Sequence, residues 1–212
     1  MDTATTRAHI LKSDQFVIDE SKKLQVMYRL KQEIRYGHKR VTEAHTESVG
    51  EHIYALHCLI EYFFPLEDTE GTWDKLKVHE LATIHDISEI ETGDIVAYKK
   101  TAENYAEEIF AAKRVVGLLP ESIQTKLETL IDEFENQSTI EAQFVRAVDK
   151  FEPLIHCFNE TGKETLQTNK FTLEKRLNYA GNALEPFPML KRFEEVLDAV
   201  FEQDGYYYRS LA

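Results

Sequence analysis

Residues 139–158 read TIEAQFVRAVDKFEPLIHCF. Phe144, Ala147, Val148, Phe151 and Ile155 recur at three- and four-residue steps, the repeat of an α-helix and not the alternation of a strand. Ala142, Val145 and Asp149 fall on the opposite side of the same helix. A helix with apolar residues on two faces is packed between neighbours, so this segment is expected at the centre of a helical bundle. Asp149 is then the anomaly. A carboxylate in such a place costs several kcal/mol unless it is paired or bound to a metal.

Working outward, the same period recurs along the chain. Leu24, Met27, Lys31 and Ile34 share one stripe of an expected first helix. Val49, Ile53, Leu56, Ile60 and Phe63 predict a second over about 47–64, ended by Pro65. A third is expected over about 74–89, with apolar residues spread around it. Tyr105, Ile109, Ala112 and Val116 mark a fourth, closed by Gly117 and Pro120. Ile123, Leu127, Leu130, Ile131 and Phe134 mark a fifth. After NETGKETLQTNK, read as a polar loop, helices over about 171–184 and 188–203 complete the chain. No repeat, long linker or strand pattern interrupts the series, so the fold class is all-α, a single-domain helical bundle.

Composition narrows the function classes. The 212 residues are 42% hydrophobic and 30% charged, which suits a globular protein with a real core. Eight Gly and five Pro are few for a turn-rich β-sandwich. The net charge of −13 argues against a polymeric nucleic acid partner and against attachment to anionic membrane. No apolar run reaches the length of a signal peptide or a membrane span. Cys58 and Cys157, both in apolar stretches, read as buried free thiols in a reducing compartment. A cytoplasmic location is the expectation. One segment runs against the global charge: Lys22 to Arg40 holds seven Lys/Arg against Glu33 alone.

Histidines and carboxylates occupy positions that burial disfavours. His52 lies at the edge of the second helix's apolar stripe, and His85 lies within the third helix, followed at once by Asp86. Two His and two Asp taken out of water have a common solution, a single divalent cation. Spacing alone leaves the simpler alternative open, since a lone histidine on an apolar face is more often an ordinary core residue. The next residues, HDISEIETGD (85–94), add to the case. Glu89 is one turn beyond His85 and can face the same pocket. Gly93 can end the helix and set Asp94 at the rim.

The segments ESVGEH (47–52), HDISEIETGD (85–94) and RAVDKFE (146–152) together resemble the H…HD…D signature of the HD-domain metal-dependent phosphohydrolases. The extended forms are most similar to the 5′-deoxynucleotidase-like subgroup. The resemblance covers about residues 20–180, within a single HD domain spanning 1–212 on which the C-terminal helices of 171–203 pack. It implies a helical fold with one divalent metal at its centre, held by His52, His85, Asp86 and Asp149. It implies that Glu89 is the acid/base group and that Asp94 contacts the nucleotide sugar. LKQEIRYGHKR (30–40) resembles the subgroup's phosphate-binding segment, with Arg35 and Arg40 on the phosphate and Tyr36 where the subgroup often has a Trp beside the sugar. Four protein ligands leave two positions open on a six-coordinate ion, which favours manganese, cobalt, iron or magnesium over zinc. The implied activity is release of phosphate from (deoxy)nucleoside 5′-monophosphates, with a small nucleotide as partner and a homodimer suggested by fold analogy alone. The alternatives are a nucleotide-binding regulatory protein, or hydrolysis of a triphosphate, cyclic nucleotide or pyrophosphate bond.

Overall fold

The computed structural model describes residues 3–35, 47–95 and 100–209, and the structural statements below concern these. Helices α1 (Thr3–Lys12) and α2 (Asp14–Leu24) lead into a 3-10 turn at Met27–Lys31. Then follow α3 (Val49–Glu67), α4 (Lys75–Ile84), the short α5 (Glu89–Thr92), α6 (Ala102–Gly117) and α7 (Glu121–Asn136). The chain continues through α8 (Ile140–His156), α9 (Glu160–Thr168), α10 (Leu173–Ala180) and α11 (Pro188–Gln203). Among the described residues there is no β-strand, only an isolated antiparallel bridge between Ile34 and Ser48. The fold is the expected all-α bundle. No described helix is long and apolar enough to cross a membrane.

Local chemistry fixes where the helices begin. The side chains of Ser48, Asp74, Thr101, Thr139, Asn159 and Thr172 each accept a first-turn backbone N–H, meeting donors that no intrahelical carbonyl can reach. At α3 the cap is reciprocal, since Glu51 also accepts from the Ser48 N–H at 2.6 Å. Glu51 is therefore a capping residue.

Helix α8 is central. It packs against α3, α4, α7, α10 and α11. Phe144, Val145, Ala147, Val148 and Phe151 on it are all inaccessible. Each of the larger ones, Phe and Val, contributes roughly 1.5–3 kcal/mol by leaving water. Phe63 of α3 meets Phe151 edge-on at 5.3 Å, and Trp73, Phe144 and Phe187 form a second aromatic group.

Several expectations are corrected. No continuous helix joins Leu24 to Ile34: α2 ends at Leu24, and Ile34 sits in the bridge to Ser48. Helix α3 runs through Pro65 to Glu67, because a proline in the last turn removes one late hydrogen bond and the Asp68 N–H still closes onto Phe64 at 2.9 Å. The third helix breaks at residues 85–88, where Ile87→Ile84 and Glu89→Asp86 bonds tighten the chain into i→i+3 turns. The segment read as a polar loop contains α9, started by the Asn159 cap. Cys58 is exposed, so only Cys157 is a sequestered thiol, and burial pushes it up to about 12.

Candidate metal centre and its cavity

Three elements supply the central groups: α3 carries His52, the turn after α4 carries His85 and Asp86, and α8 carries Asp149. Their atoms converge. His85 Nε2 lies 3.0 Å from Asp86 Oδ2 and 3.9 Å from Asp149 Oδ1. His52 Nε2 lies 3.3 Å from Asp149 Oδ1 and 3.8 Å from Asp86 Oδ2. Ligand atoms sharing a cation with bonds near 2.0–2.1 Å stand about 3.0–3.4 Å apart. Two of these edges meet that spacing, and the others are about half an ångström wider.

The donor chemistry fits a metal as well. His52 Nδ1, His52 Nε2 and His85 Nε2 are buried and make no hydrogen bond among the described residues. His85 Nδ1 donates to the Ala82 carbonyl at 2.9 Å, which leaves its Nε2 with the lone pair turned toward the aspartates. His52 Nδ1 faces Glu152 at 3.2 Å and Glu47 at 3.7 Å. Burial and Arg35 both oppose a charged His52, yet Asp149 and Glu152 outweigh them and raise its pKa to about 9. Asp86 and Asp149 respond in the opposite sense. Burial would raise them, but His85 and His52 beside Asp86, and Lys150 and His52 beside Asp149, carry both well below the usual carboxylate range. The cluster is built to hold positive charge.

The turn at 85–88 also aims Glu89. In i→i+3 turns, side chains three apart eclipse, so Glu89 comes up over Asp86 into the same space. It is only 4% exposed, and its Oε2 has no hydrogen-bond partner among the described residues. Burial, then the charges of Asp86 and Asp94, push its pKa well above the usual carboxylate value. Gly93 follows at φ 68°, where a glycine avoids the Cβ penalty, and its N–H closes onto Glu89. Asp94 is thereby turned inward. It is 7% exposed, buried and not at the rim as the sequence suggested.

Arg35 reaches the site through the bridge. Its N–H bonds the Glu47 carbonyl at 3.0 Å, and its guanidinium meets Glu47 at 2.7 Å, Glu152 at 3.7 Å and Asp94 at 3.8 Å. Tyr36 and Arg40 lie outside the described residues, as do His38, His45 and Lys99. Arg35, His85, Asp86, Glu89, Asp94 and Asp149 line one cavity of about 680 Å³. That is within the usual size of small-molecule sites.

The HD domain family model matches residues 27–190, most of the chain. The chain belongs to that family. A bovine 5′-deoxynucleotidase HDDC2 is 32% identical over 111 residues, covering 51% of this chain and 52% of that protein. The human HDDC2 is 29% identical over 134 residues, covering 62% and 63%, and a yeast 5′-deoxynucleotidase is 27% identical over 154 residues, covering 70% and 62%. The chain thus spans between about half and under two thirds of the length of these relatives. Among solved structures, a predicted metal-dependent phosphohydrolase from Magnetospirillum magnetotacticum superimposes with a TM-score of 0.77 at 24% identity, covering 91% of this chain and 96% of that one. The likeness is one of fold, and it agrees with the HD domain.

The HD domain here brings in groups that sequence reasoning passed over. Glu47 and Glu152 support His52 from behind, although both stand inside the quoted segments ESVGEH and RAVDKFE. Lys150 lies 3.5 Å from Asp149 and 4.1 Å over the Tyr179 ring. Arg146 also lines the cavity. His57 and His79 are in contact with each other, Nδ1 to Nδ1 at 2.7 Å, across α3 and α4, and do not line the cavity.

Proposed function

We propose that the protein is a metal-dependent phosphomonoesterase releasing phosphate from (deoxy)nucleoside 5′-monophosphates. The observation that carries this is the buried Glu89, its Oε2 without a hydrogen-bond partner among the described residues and its pKa pushed up, in the cavity that His85, Asp86 and Asp149 line. A purely structural metal site has no need of Glu89. The names of the relatives support the substrate class.

His52, His85, Asp86 and Asp149 would hold the metal. Bound there, a divalent ion supplies Lewis acidity at the phosphoryl group and lowers the pKa of bound water. The rest falls to the chain. Glu89, whose pKa is pushed up by burial and by the charges of Asp86 and Asp94, would deliver a proton from Oε2 to the departing sugar oxygen. Asp94, fixed against Arg35, accepts a hydrogen bond from a sugar hydroxyl. Arg35 also presents positive charge to the phosphate, and Arg40 and Tyr36 complete that end by likeness to the family. Glu152 and Glu47 hold the His52 ring. Four protein ligands favour manganese, cobalt, iron or magnesium over zinc. Residues 1–212 act as one HD domain, in the cytoplasm, with a homodimer suggested by likeness of fold.

A phosphate-release assay on matched ribo- and deoxyribonucleotides, with several metals, tests the reading. The chelated protein is expected to be inactive and to recover with manganese or cobalt. Full release by Asp86→Ala in metal-free buffer would overturn it.

A further inference from the structure

The cavity does not end at the metal cluster. It continues between α9, α10 and α11, where Arg176, Tyr179, Thr165 and Asn169 line it. Lys150, next in the chain to Asp149, covers the Tyr179 ring. Tyr179 in turn lies three residues beyond Arg176 on α10, so the two share a face. A continuous path therefore leads from the ligand cluster along Tyr179 to Arg176.

Arg176 is unusual. It is 2% exposed, and its Nε, Nη1 and Nη2 make no hydrogen bond among the described residues. Glu194 at 3.1 Å and Asp198 at 3.9 Å balance its charge without satisfying its donors. Asp198 instead accepts from the Tyr207 hydroxyl, and Glu194 is paired with Lys191 at 3.0 Å. A buried guanidinium with unmatched N–H groups is costly.

The combination selects a ligand chemistry. A second anion would come up against Glu194 and Asp198. A neutral planar edge with two adjacent acceptors would use the guanidinium fork without upsetting the charge balance. We propose that this end of the cavity is a nucleobase subsite, with Arg176 as its floor, that selects guanine over adenine. Guanine offers O6 and N7 side by side, whereas adenine places an amino donor next to N7. The inference rests on the nucleotide reading above and gives that site a base preference.

The test compares kcat/KM for dGMP and dAMP in the manganese-loaded protein. A bidentate contact of this kind discriminates by about five- to 100-fold, so dGMP is expected to be preferred by that factor. Arg176→Met should lower the dGMP value more than the dAMP value and bring the ratio near one. Arg176→Lys should do the same, because an ammonium keeps the charge but lacks the fork. A merely structural Arg176 would affect both substrates equally, and an unchanged ratio in a folded variant overturns the proposal. Should Arg176→Met fail to fold, calorimetry of guanosine and adenosine with the wild-type protein decides, and equal affinities overturn it. If the wild type hydrolyses no monophosphate yet binds guanosine over adenosine, the phosphatase reading fails and the subsite stands.

Discussion

Glu152 gives the sharpest test of how the metal centre is held. It is 2% exposed, and its Oε2 lies 3.2 Å from His52 Nδ1 and 3.7 Å from the Arg35 guanidinium. It meets the proposed ligand His52 at Nδ1, on the side away from Nε2, so its effect must pass through the orientation and basicity of His52. Loss of such a partner typically costs about 10–100-fold in metal affinity, or about 1.4–2.7 kcal/mol. Glu152→Ala is expected in that range. Glu152→Gln keeps an acceptor for the Nδ1 proton and loses only the charge, and Glu47 at 3.7 Å supplies some of it back, so about three- to tenfold is expected. Competition between the apo protein and a chelating dye for Mn²⁺ measures both values, and kcat at saturating Mn²⁺ should change much less than affinity. If Glu152→Ala binds Mn²⁺ as tightly as the wild type while remaining folded, the outer carboxylate does not support His52 and the argument is wrong.

Two further outcomes follow from the geometry. Glu89→Gln should retain metal, measured by elemental analysis, while kcat falls by about 10²–10⁴-fold, the usual contribution of a positioned acid or base; a loss of metal instead would assign Glu89 to coordination. The His57–His79 pair faces Glu61, Lys75, Thr83 and His85, and burial, then His79, lowers the His57 pKa below its ordinary value near 6.5. The unfolded chain then binds the extra proton first, so this contribution to stability is present above about pH 6.5 and is lost as pH falls toward the lowered folded value; His57→Asn should flatten the fall of Tm on acidification, and an unaltered slope would refute this.

The helical bundle and its four central groups were legible because burial leaves a mark in sequence: an acid or a histidine amid an apolar period has to be explained. Asp149 on α8 and His52 on α3 carried that mark. Glu47 and Glu152 did not, since each reads as the polar flank of a motif until the Ile34–Ser48 bridge and the turn of α8 close them around His52. The turn at 85–88 was hidden for another reason. Helix and i→i+3 turn both bring residues three apart together, so HDISE predicts the neighbours correctly and the backbone wrongly. Helix α9 was missed because TGKETLQT has almost no apolar stripe, and it is the Asn159 cap that starts it.

The charge pattern also changes meaning once placed. The basic run from Lys22 to Arg40 looked like an arm reaching for phosphate. Within its described part, Arg29 donates to the Ile90 carbonyl at 2.8 Å and Arg35 is clasped by Glu47. These two arginines brace α5 and the start of α3, the elements that aim Glu89 and His52. Positive charge over the cavity comes from Arg35 and, from other helices and turns, from Lys100, Arg146 and Lys150. Asp86, Glu89, Asp94 and Asp149 line the same cavity. A divalent ion would bind where two imidazoles and two aspartates converge. The global charge of −13 weighs against long polyanions, which would have to cross the whole surface field. It weighs less against a single phosphate, whose charge would be met by groups that the fold has already buried.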